Sequence, residues 1–255
     1  MYFPYVGITD FMTFEQVKKM LTVFKAHLSS GSKRKLHVGV MMSYKTLLGI
    51  ETKWSKAFPK KEEIAGIFGS NDVYNCLHYA DYGRNSGYLD LARAISFGGI
   101  GIHALQLDMI WPEPADISGG VHTSRKQIEV ILQIGKKSIE GADNNPETVA
   151  YKLENYDGVI DRVLLDRSMG QGVTMDVETL IPFARAIRRR FPNLGLVVAG
   201  GLGPSTTGLV EPIVKEFPDV SIDAKGKLRP SGDILDPVNW EMAEQYLVEA
   251  LKLFK

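Results

Sequence analysis

Two short segments in the last third of the chain carry the clearest chemical signal. The run Val198-Ala-Gly-Gly-Leu-Gly-Pro places Gly200 and Gly201 directly after apolar residues. Glycines in such a turn let backbone N–H groups approach an anion with no side chain in the way. Further along, Lys225, Gly226 and Lys227 add positive charge and another glycine. We predict that these five residues bind a phosphate group; the alternatives are a tight strand-to-helix turn and a solvated run of charge.

Carboxylates that follow apolar runs form the second signal. Asp166 comes after Val163-Leu-Leu, and Asp108 ends another apolar run. A carboxyl group at such a boundary can exchange protons near neutral pH, and two carboxyl groups at one site can be pushed to different pKa values. We therefore predict that Asp166 is a general acid or base with Asp108 as its partner, while Asp10 and Asp81 compete for these roles. The alternative for Asp166 is a structural aspartate that accepts hydrogen bonds from loop amides.

Other reactive residue types give weaker signals. Gly170 and Gly172 follow Asp166 and are predicted to contact the substrate as a flexible lid, or else to form a simple turn, whereas Asp176 suits a helix cap. Cys76 is the only cysteine, which excludes an intramolecular disulfide and a cysteine-based zinc site; we expect it in the core. The five histidines have neither helical His-x-x-x-His spacing nor clustered acidic partners, so we predict no metal site.

The elements that must position these residues are short apolar runs, most of them followed by a helix-like stretch. Eight strand candidates cover residues 5–9, 36–43, 75–81, 104–111, 129–135, 162–166, 194–201 and 220–224, and amphipathic windows include residues 14–28, 146–156, 177–191 and 240–254. Several runs are continuously apolar, as in parallel strands buried on both faces. Eight such units in 255 residues predict an α/β protein of the (β/α)8 TIM-barrel class, with residues 1–255 as a single domain.

The fourth unit is the weakest part of this prediction. Its helix region contains Pro112, Pro114, Gly119 and Gly120, which leave little room for a full helix.

The barrel prediction also ranks the polar residues, because chemistry in this fold occurs where strands end and the loops after strands seven and eight usually bind phosphate. The strand-end candidates are Thr9, Asp10, Ser43, Lys45, Asp81, Asp108, Lys136, Asp166, Gly200, Gly201 and residues 223–227.

The order of several short motifs resembles that of phosphoribosylanthranilate isomerase. These motifs are Gly7-Ile-Thr9, Ser43-Tyr-Lys45, Gln106-Leu, Leu164-Leu-Asp166 with Gly170-x-Gly172-x-Thr174-x-Asp176, and Gly200-Gly-Leu202. The resemblance spans most of the chain, is specific over residues 160–226 and is weak over residues 50–100. It implies a (β/α)8 barrel that opens a phosphoribosylamine ring and moves a proton without a cofactor.

The resemblance implies counterparts in this sequence for some of the family's site residues and not for others. It makes Asp166 the counterpart of the family's acid, but the family's cysteine base corresponds to Val6, which cannot take a proton. Lys45 stands where the family has a substrate-binding arginine, so charge is kept and the bidentate fork is lost. Asp108 replaces a histidine, and Lys225-Gly226 replaces Ser-Ser-Gly. Because these departures fall on catalytic positions, the resemblance implies altered chemistry on a retained phosphate site.

Composition narrows the class of partner. The chain has 30 basic and 30 acidic residues, so no overall charge favours nucleic acid or an anionic membrane. The amino-terminal residues lack the pattern of a signal peptide, and no window has the ~20 apolar residues of a membrane span. We expect a cytoplasmic protein whose partner is a phosphorylated small molecule; the oligomeric state stays open.

The sequence therefore supports two functions of different kinds. The first is an isomerase-like enzyme that acts on a phosphorylated, sugar-containing metabolite by acid/base proton transfer. The second is a barrel without catalytic activity that binds or senses a phosphorylated ligand.

Overall fold

The computed structural model describes residues 3–166 and 177–255. Within these ranges, eight parallel strands close into one barrel in the order β1 to β8, and β8 pairs with β1. The strands are β1 (Tyr5–Thr9), β2 (Lys35–Ser43), β3 (Tyr74–Ala80), β4 (Ala104–Asp108), β5 (Glu129–Gly135), β6 (Arg162–Asp166), β7 (Gly195–Ala199) and β8 (Ser221–Ala224). The predicted (β/α)8 class is confirmed.

Helices follow the strands around the outside of the barrel. They are α1 (Phe14–His27), α2 (Tyr44–Leu47), α3 (Ile64–Ile67), α4 (Tyr88–Phe97), α5 (Pro114–Ser124), α6 (Lys136–Glu140), α7 (Pro146–Lys152), α8 (Val177–Arg190), α9 (Glu211–Glu216) and α10 (Trp240–Lys252). Thr13 caps α1 in a capping box with Gln16, which satisfies two backbone donors that a helix start leaves open. Among the described residues, no helix is long and apolar enough to cross a membrane.

The fourth β/α unit contains a full helix, contrary to the expectation from its prolines and glycines. α5 runs over 11 residues, with a proline in its first turn where the missing N–H costs nothing. Its glycines serve packing: a Cβ on Gly120 would lie 2.7 Å from Leu91 Cβ, and one on Gly119 would lie 3.0 Å from Tyr88 Cβ. The glycine pair lets α5 approach α4 closely, so tertiary packing compensates its low helix propensity.

Apolar residues form two clusters, one between the sheet and the helices and a smaller one inside the barrel. β1 shows the alternation that divides them: Val6 and Ile8 belong to the outer cluster, and Tyr5 belongs to the inner one. Since strand side chains alternate between the two faces, Gly7 and Thr9 share the interior face with Tyr5. Val6 is therefore directed toward the helices.

Arg162 closes the end of the barrel where the strands begin. Its side chain is 1% exposed, its Nε donates to Glu129 Oε2 at 2.6 Å, and its guanidinium lies 5.4 Å from the Tyr5 ring and 5.0 Å from the Tyr74 ring. A buried arginine is tolerated when it is paired with an acid and stacked on aromatic rings. The Arg162 side chain and these two rings therefore occupy the barrel interior at this end.

Candidate functional site

The carboxyl ends of the strands surround a cavity that is partly open to solvent. Its lining comes from β3 to β8 and consists of His78, Gln106, Gln133, Leu164, Asp166, Ala199, Gly200, Gly201, Asp223, Lys225 and Gly226. Five of the residues predicted to form the site, Asp166, Gly200, Gly201, Lys225 and Gly226, thus meet in one cavity. Strand ends of a parallel barrel converge on one rim, which is why residues far apart in sequence meet here.

The turn after β7 has the backbone that a glycine pair predicts. Gly200 and Gly201 have φ angles of 99° and 69°, in the left-handed region that other residues adopt at a cost. Thr206 holds the turn, because its hydroxyl donates to the Gly201 carbonyl at 2.8 Å and accepts from the Gly203 N–H at 2.8 Å. The turn is therefore fixed in shape.

The loop after β8 packs against this turn. A Cβ on Gly203 would lie 2.8 Å from both the carbonyl oxygen and the Cβ of Lys227, so the two loops touch through their backbones. Lys227, the fifth predicted phosphate residue, does not line the cavity. Its backbone supports the loop that presents Lys225 and Gly226.

Lys225 and Asp10 form part of an ion-pair cluster at the mouth. Lys225 Nζ lies 3.7 Å from Asp10 Oδ1, and the buried Arg229 contacts the other oxygen, Oδ2, at 2.5 Å. Arg229 also donates to the Lys225 carbonyl at 2.9 Å. Because Asp10 is held by two cations, we infer that it is structural and not the competing acid or base.

Asp81, the other competitor, organises the loop after β3. Its carboxylate accepts five hydrogen bonds, from the backbones of Gly83, Asn85 and Ser86 and from the side chains of Asn85 and Ser86, at 2.7 to 3.1 Å. Burial by itself would raise the pKa of Asp81, but the bonds from Ser86 and Asn85 outweigh burial and lower it. A carboxylate bonded on both oxygens is a poor proton acceptor.

We expect Asp81→Ala to lower the free energy of unfolding at pH 7 by roughly 3 kcal/mol, since two buried donors of Ser86 and three part-buried donors of Gly83 and Asn85 lose their acceptor. Asp81→Asn keeps one acceptor oxygen and serves as the milder control. The pKa of Asp81 is lower in the folded state than in the unfolded state. The carboxylate therefore stabilises the folded protein fully at pH values above its unfolded-state pKa, and this stabilisation is lost as the pH falls through its folded-state pKa. Urea denaturation at pH 7 and pH 3 measures both effects, and an alanine variant as stable as the wild type at pH 7 would contradict the structural role.

Asp166 and Asp108 are joined by a chain of side chains across β3 to β6. Gln133 Nε2 donates to Asp166 Oδ2 at 3.5 Å, and Gln133 Oε1 accepts from Gln106 Nε2 at 2.9 Å. Gln106 Nε2 lies 3.2 Å from His78 Nδ1, and His78 Nε2 lies 3.6 Å from Asp108 Oδ2. The His78 ring thus lies between the Gln106 amide and the Asp108 carboxyl group.

Asp108 lines a second depression beside the main cavity. That depression also includes Tyr82, Lys136 and Gln133, the last of which borders both spaces. Burial by itself would raise the pKa of Asp108, but hydrogen bonding and charge from His78, together with the Tyr82 hydroxyl at 2.5 Å, lower it. Asp108 is therefore held as an anion, which suits an acceptor for ligand hydroxyl or amine groups better than a proton carrier.

Asp223 is the site residue that the sequence prediction placed only on the list of strand ends. It is 4% exposed, lines the same cavity as Asp166, and accepts from the Thr9 hydroxyl at 2.9 Å. Its other oxygen, Oδ1, has no hydrogen-bond partner among the described residues. Burial raises the pKa of Asp223 to about 7, although Thr9 and Lys225 lower it in part.

Of the three predicted substrate contacts, the structure describes Lys45 alone. Lys45 lies in α2 after β2, is exposed, and is not among the cavity residues. Gly170 and Gly172 lie outside the described residues. Across residues 3–166 and 177–255, no group of three or more His, Cys, Asp or Glu side chains is arranged to hold a metal ion.

The fold and the position of this cavity are those of a (β/α)8 barrel, and solved structures share the architecture. A phosphoribosylanthranilate isomerase from Thermotoga maritima, a dimeric enzyme studied as monomers, superposes with a TM-score of 0.62 at 16% identity over 98% of each chain. A phosphonopyruvate hydrolase gives a TM-score of 0.52 at 10% identity, covering 88% of this chain and 75% of that one. Its complex with oxalate and Mg²⁺ gives 0.52 at 12% identity, covering 88% and 76%. The sequence matches no family model and no curated protein. At these identities the likeness is one of fold.

Proposed function

We propose that this protein is an enzyme that moves a proton on a phosphorylated, sugar-containing small metabolite. The reaction class is an isomerisation by general acid/base catalysis, similar in kind to that of phosphoribosylanthranilate isomerase. One observation carries the proposal: Gly200, Gly201, Lys225 and Gly226 line the same cavity as Asp166. An anchor for phosphate and a carboxyl group for proton transfer therefore act on one bound molecule.

The anchor has the parts that anion binding needs. The two glycines open the β7 turn to close backbone approach, and Lys225 contributes a cation at the edge of the cavity. Lys225 is 3.7 Å from Asp10, a distance longer than a tight ion pair, so its ammonium can reach a phosphate in exchange. Lys227 is proposed to add long-range attraction from the loop after β8.

The remaining part of the ligand extends toward β4 and β5. Gln133 borders both the main cavity and the depression that contains Asp108. We expect Asp108 to accept hydrogen bonds from sugar hydroxyl or amine groups. Lys45, in α2 after β2, is proposed as a further substrate contact, as are Gly170 and Gly172, which lie outside the described residues.

A barrel that only binds a phosphorylated ligand is the second candidate. It is favoured by the outward direction of Val6, because the interior residues in the carboxyl half of β1 are then Gly7 and Thr9, neither of which has a titratable group. Both candidates require the phosphate anchor, and solvent deuterium exchange into a bound phosphosugar separates them.

Inorganic phosphate and phosphosugars such as ribose 5-phosphate are expected to raise the melting temperature in a saturable way, since a ligand of the folded state stabilises it. Gly201→Asp is expected to abolish the increase, because a carboxylate and a Cβ enter the anchor at a φ of 69°. Gly158 is the matched control: its φ is 71° and nothing lies within 4 Å of a Cβ there. Gly158→Asp should keep the full increase. An unchanged melting temperature of the wild type up to millimolar ligand would contradict the proposal.

A further inference from the structure

Asp223 lines the cavity and has the features of a proton carrier. The sequence motifs do not supply such a residue. We infer that Asp223 is the second acid/base residue of this site and, with Asp166, performs the proton transfer for which the carboxyl half of β1 offers no titratable side chain. This inference rests on the proposed function. It assigns the role to β8, the strand that pairs with β1.

The register of the two strands brings the carboxyl group to the required place. Gly7 is the β1 partner of Asp223, and a Cβ on Gly7 would lie 2.5 Å from Asp223 Oδ1 and 2.8 Å from His37 Nδ1. Only glycine leaves this space open, so the carboxyl group of Asp223 occupies the room that a side chain on the interior face of β1 would fill.

The two oxygens of Asp223 are in different environments. Oδ2 is fixed by the Thr9 hydroxyl at 2.9 Å. Oδ1 lies 3.6 Å from His37 Nδ1 and has no hydrogen-bond partner within the part of the chain that the structure describes. A buried carboxyl oxygen without a partner is costly, and such costs are common where a side chain acts on a ligand.

The surroundings set the protonation state of Asp223. The titratable or charged groups that face it are Tyr5 and Asp10 from β1 and its end, His37 from β2, Cys76 from β3, Asp166 from β6, Lys225 from the following loop and Tyr246 from α10. Burial dominates and raises the pKa of Asp223 to about 7. Burial also lowers the pKa of His37 to about 3, so this ring is neutral. A carboxyl group that titrates near neutral pH serves equally as donor and acceptor.

The other candidates fit the role less well. Asp10 is held at Oδ2 by Arg229, and its Oδ1 has no hydrogen-bond partner among the described residues but lies 3.7 Å from the Lys225 ammonium. Both oxygens of Asp81 accept hydrogen bonds from the loop after β3, and Asp108 lies in the neighbouring depression with a lowered pKa. Cys76 is buried, is not among the cavity residues, and has a pKa raised well above its usual value.

The proton transfer balances with these two residues and the substrate. Asp223 as carboxylate takes the proton from the carbon next to a carbonyl or iminium group. The C–H electron pair becomes the new C=C bond, and the carbonyl oxygen or imine nitrogen takes up the displaced pair, with a proton from Asp166 where the oxygen receives it. Asp223 then returns its proton to the neighbouring carbon, where the C=C electron pair forms the new C–H bond. Asp166, now a carboxylate, takes the proton of the hydroxyl group on the first carbon, and that O–H electron pair forms the new C=O bond, which completes the isomerisation and restores both residues.

Carbon-13 NMR of aspartate carboxyl groups tests the protonation state directly. One resonance is expected to titrate near pH 7, to vanish in Asp223→Asn, and to titrate at higher pH when inorganic phosphate is bound, because a nearby anion disfavours ionisation. Asp161, whose pKa is also raised by burial but which precedes β6 at the other end of the barrel, should not respond to phosphate. A resonance of Asp223 that titrates below pH 5, or that ignores phosphate, would overturn the inference.

Solvent exchange tests the catalytic step. The wild type in D2O is expected to place deuterium on ribose 5-phosphate or ribulose 5-phosphate, and Asp223→Asn is expected to lower the rate by ~10²-fold or more while phosphate binding stays normal. Asp161→Asn should exchange like the wild type. Exchange that persists in Asp223→Asn would overturn this role alone. Bound phosphate with no exchange on either sugar in the wild type would overturn the proposed isomerase function and this role together.

Discussion

Asp223→Asn is expected to stabilise the folded protein at pH 8 by roughly 4 kcal/mol, the largest stability effect that we expect for a single substitution. Burial raises the pKa of Asp223 from 3.8 to about 7, and each pKa unit corresponds to about 1.4 kcal/mol. Asparagine resembles the protonated acid: its oxygen accepts from Thr9, and its amide faces the neutral His37 Nδ1, which lies 3.6 Å from Oδ1 in the wild type. The variant therefore avoids the cost of a buried anion.

The sign of the pH dependence follows from the raised pKa. Between about pH 4 and pH 7 the folded state keeps a proton on Asp223 that the unfolded state has released, so wild-type stability falls as the pH rises through this window. Below the window both states are protonated, and the two proteins should be equally stable. Above it, the full difference is present.

Urea denaturation of both proteins at pH 4 and pH 8 measures this difference. Asp108→Asn is the control of opposite sign, because His78 and Tyr82 hold the pKa of Asp108 below its usual value; that variant should lose stability at pH 8. If Asp223→Asn is less stable than the wild type at pH 8, the carboxylate is a structural acceptor and its pKa is not raised.

Asp166→Asn is expected to remove ~10²–10⁴-fold of turnover while folding and inorganic phosphate affinity stay nearly unchanged. Asp166 ends β6, is 8% exposed and lines the cavity next to Gly200 and Gly201. The asparagine oxygen can still accept from Gln133, which lies 3.5 Å away. An interaction needed mainly in the transition state gives this pattern, in which the rate falls and ligand binding persists.

Deuterium exchange into a phosphosugar and a phosphate titration measure the two quantities on the same sample. Asp157→Asn, an exposed substitution outside the cavity, is the control and should behave like the wild type. A variant that loses several kcal/mol of stability, but whose folded fraction exchanges normally, would make Asp166 a structural hydrogen-bond acceptor.

Asp223→Asn and Asp81→Ala together distinguish a functional carboxyl group from a structural one. Asp223→Asn should be more stable and less active, since natural sites retain unfavourable groups where their chemistry is needed. Asp81→Ala should be less stable, and its remaining folded fraction should keep its activity. The opposite directions follow from the environments of the two carboxylates, one buried with an unbonded oxygen and one bonded by five donors.

The sequence by itself determined the fold class and the glycine turn after β7. Both depend on local patterns: continuous apolar runs such as Leu196-Val-Val mark strands buried on both faces, and a glycine pair after such a run implies positive φ angles, which Gly200 and Gly201 have. The capping box of Thr13 and Gln16 is another local feature. Each of these patterns lies within a few residues of the element that it predicts. It can therefore be recognised without knowing which distant residues pack against that element.

Only the tertiary structure decided how the candidate carboxyl groups differ in their bonding partners and in their pKa. In the sequence, Asp10, Asp81, Asp108, Asp166 and Asp223 are all acids near the end of an apolar run. The partners that distinguish them come from distant segments: Arg229 contacts Asp10 from 219 positions away, and Thr9 contacts Asp223 from 214 positions away. A pKa depends on burial and on charges in space, and barrel closure between β8 and β1 sets both for Asp223. The helix α5 shows the same dependence, because its glycines become favourable only against Leu91 of α4.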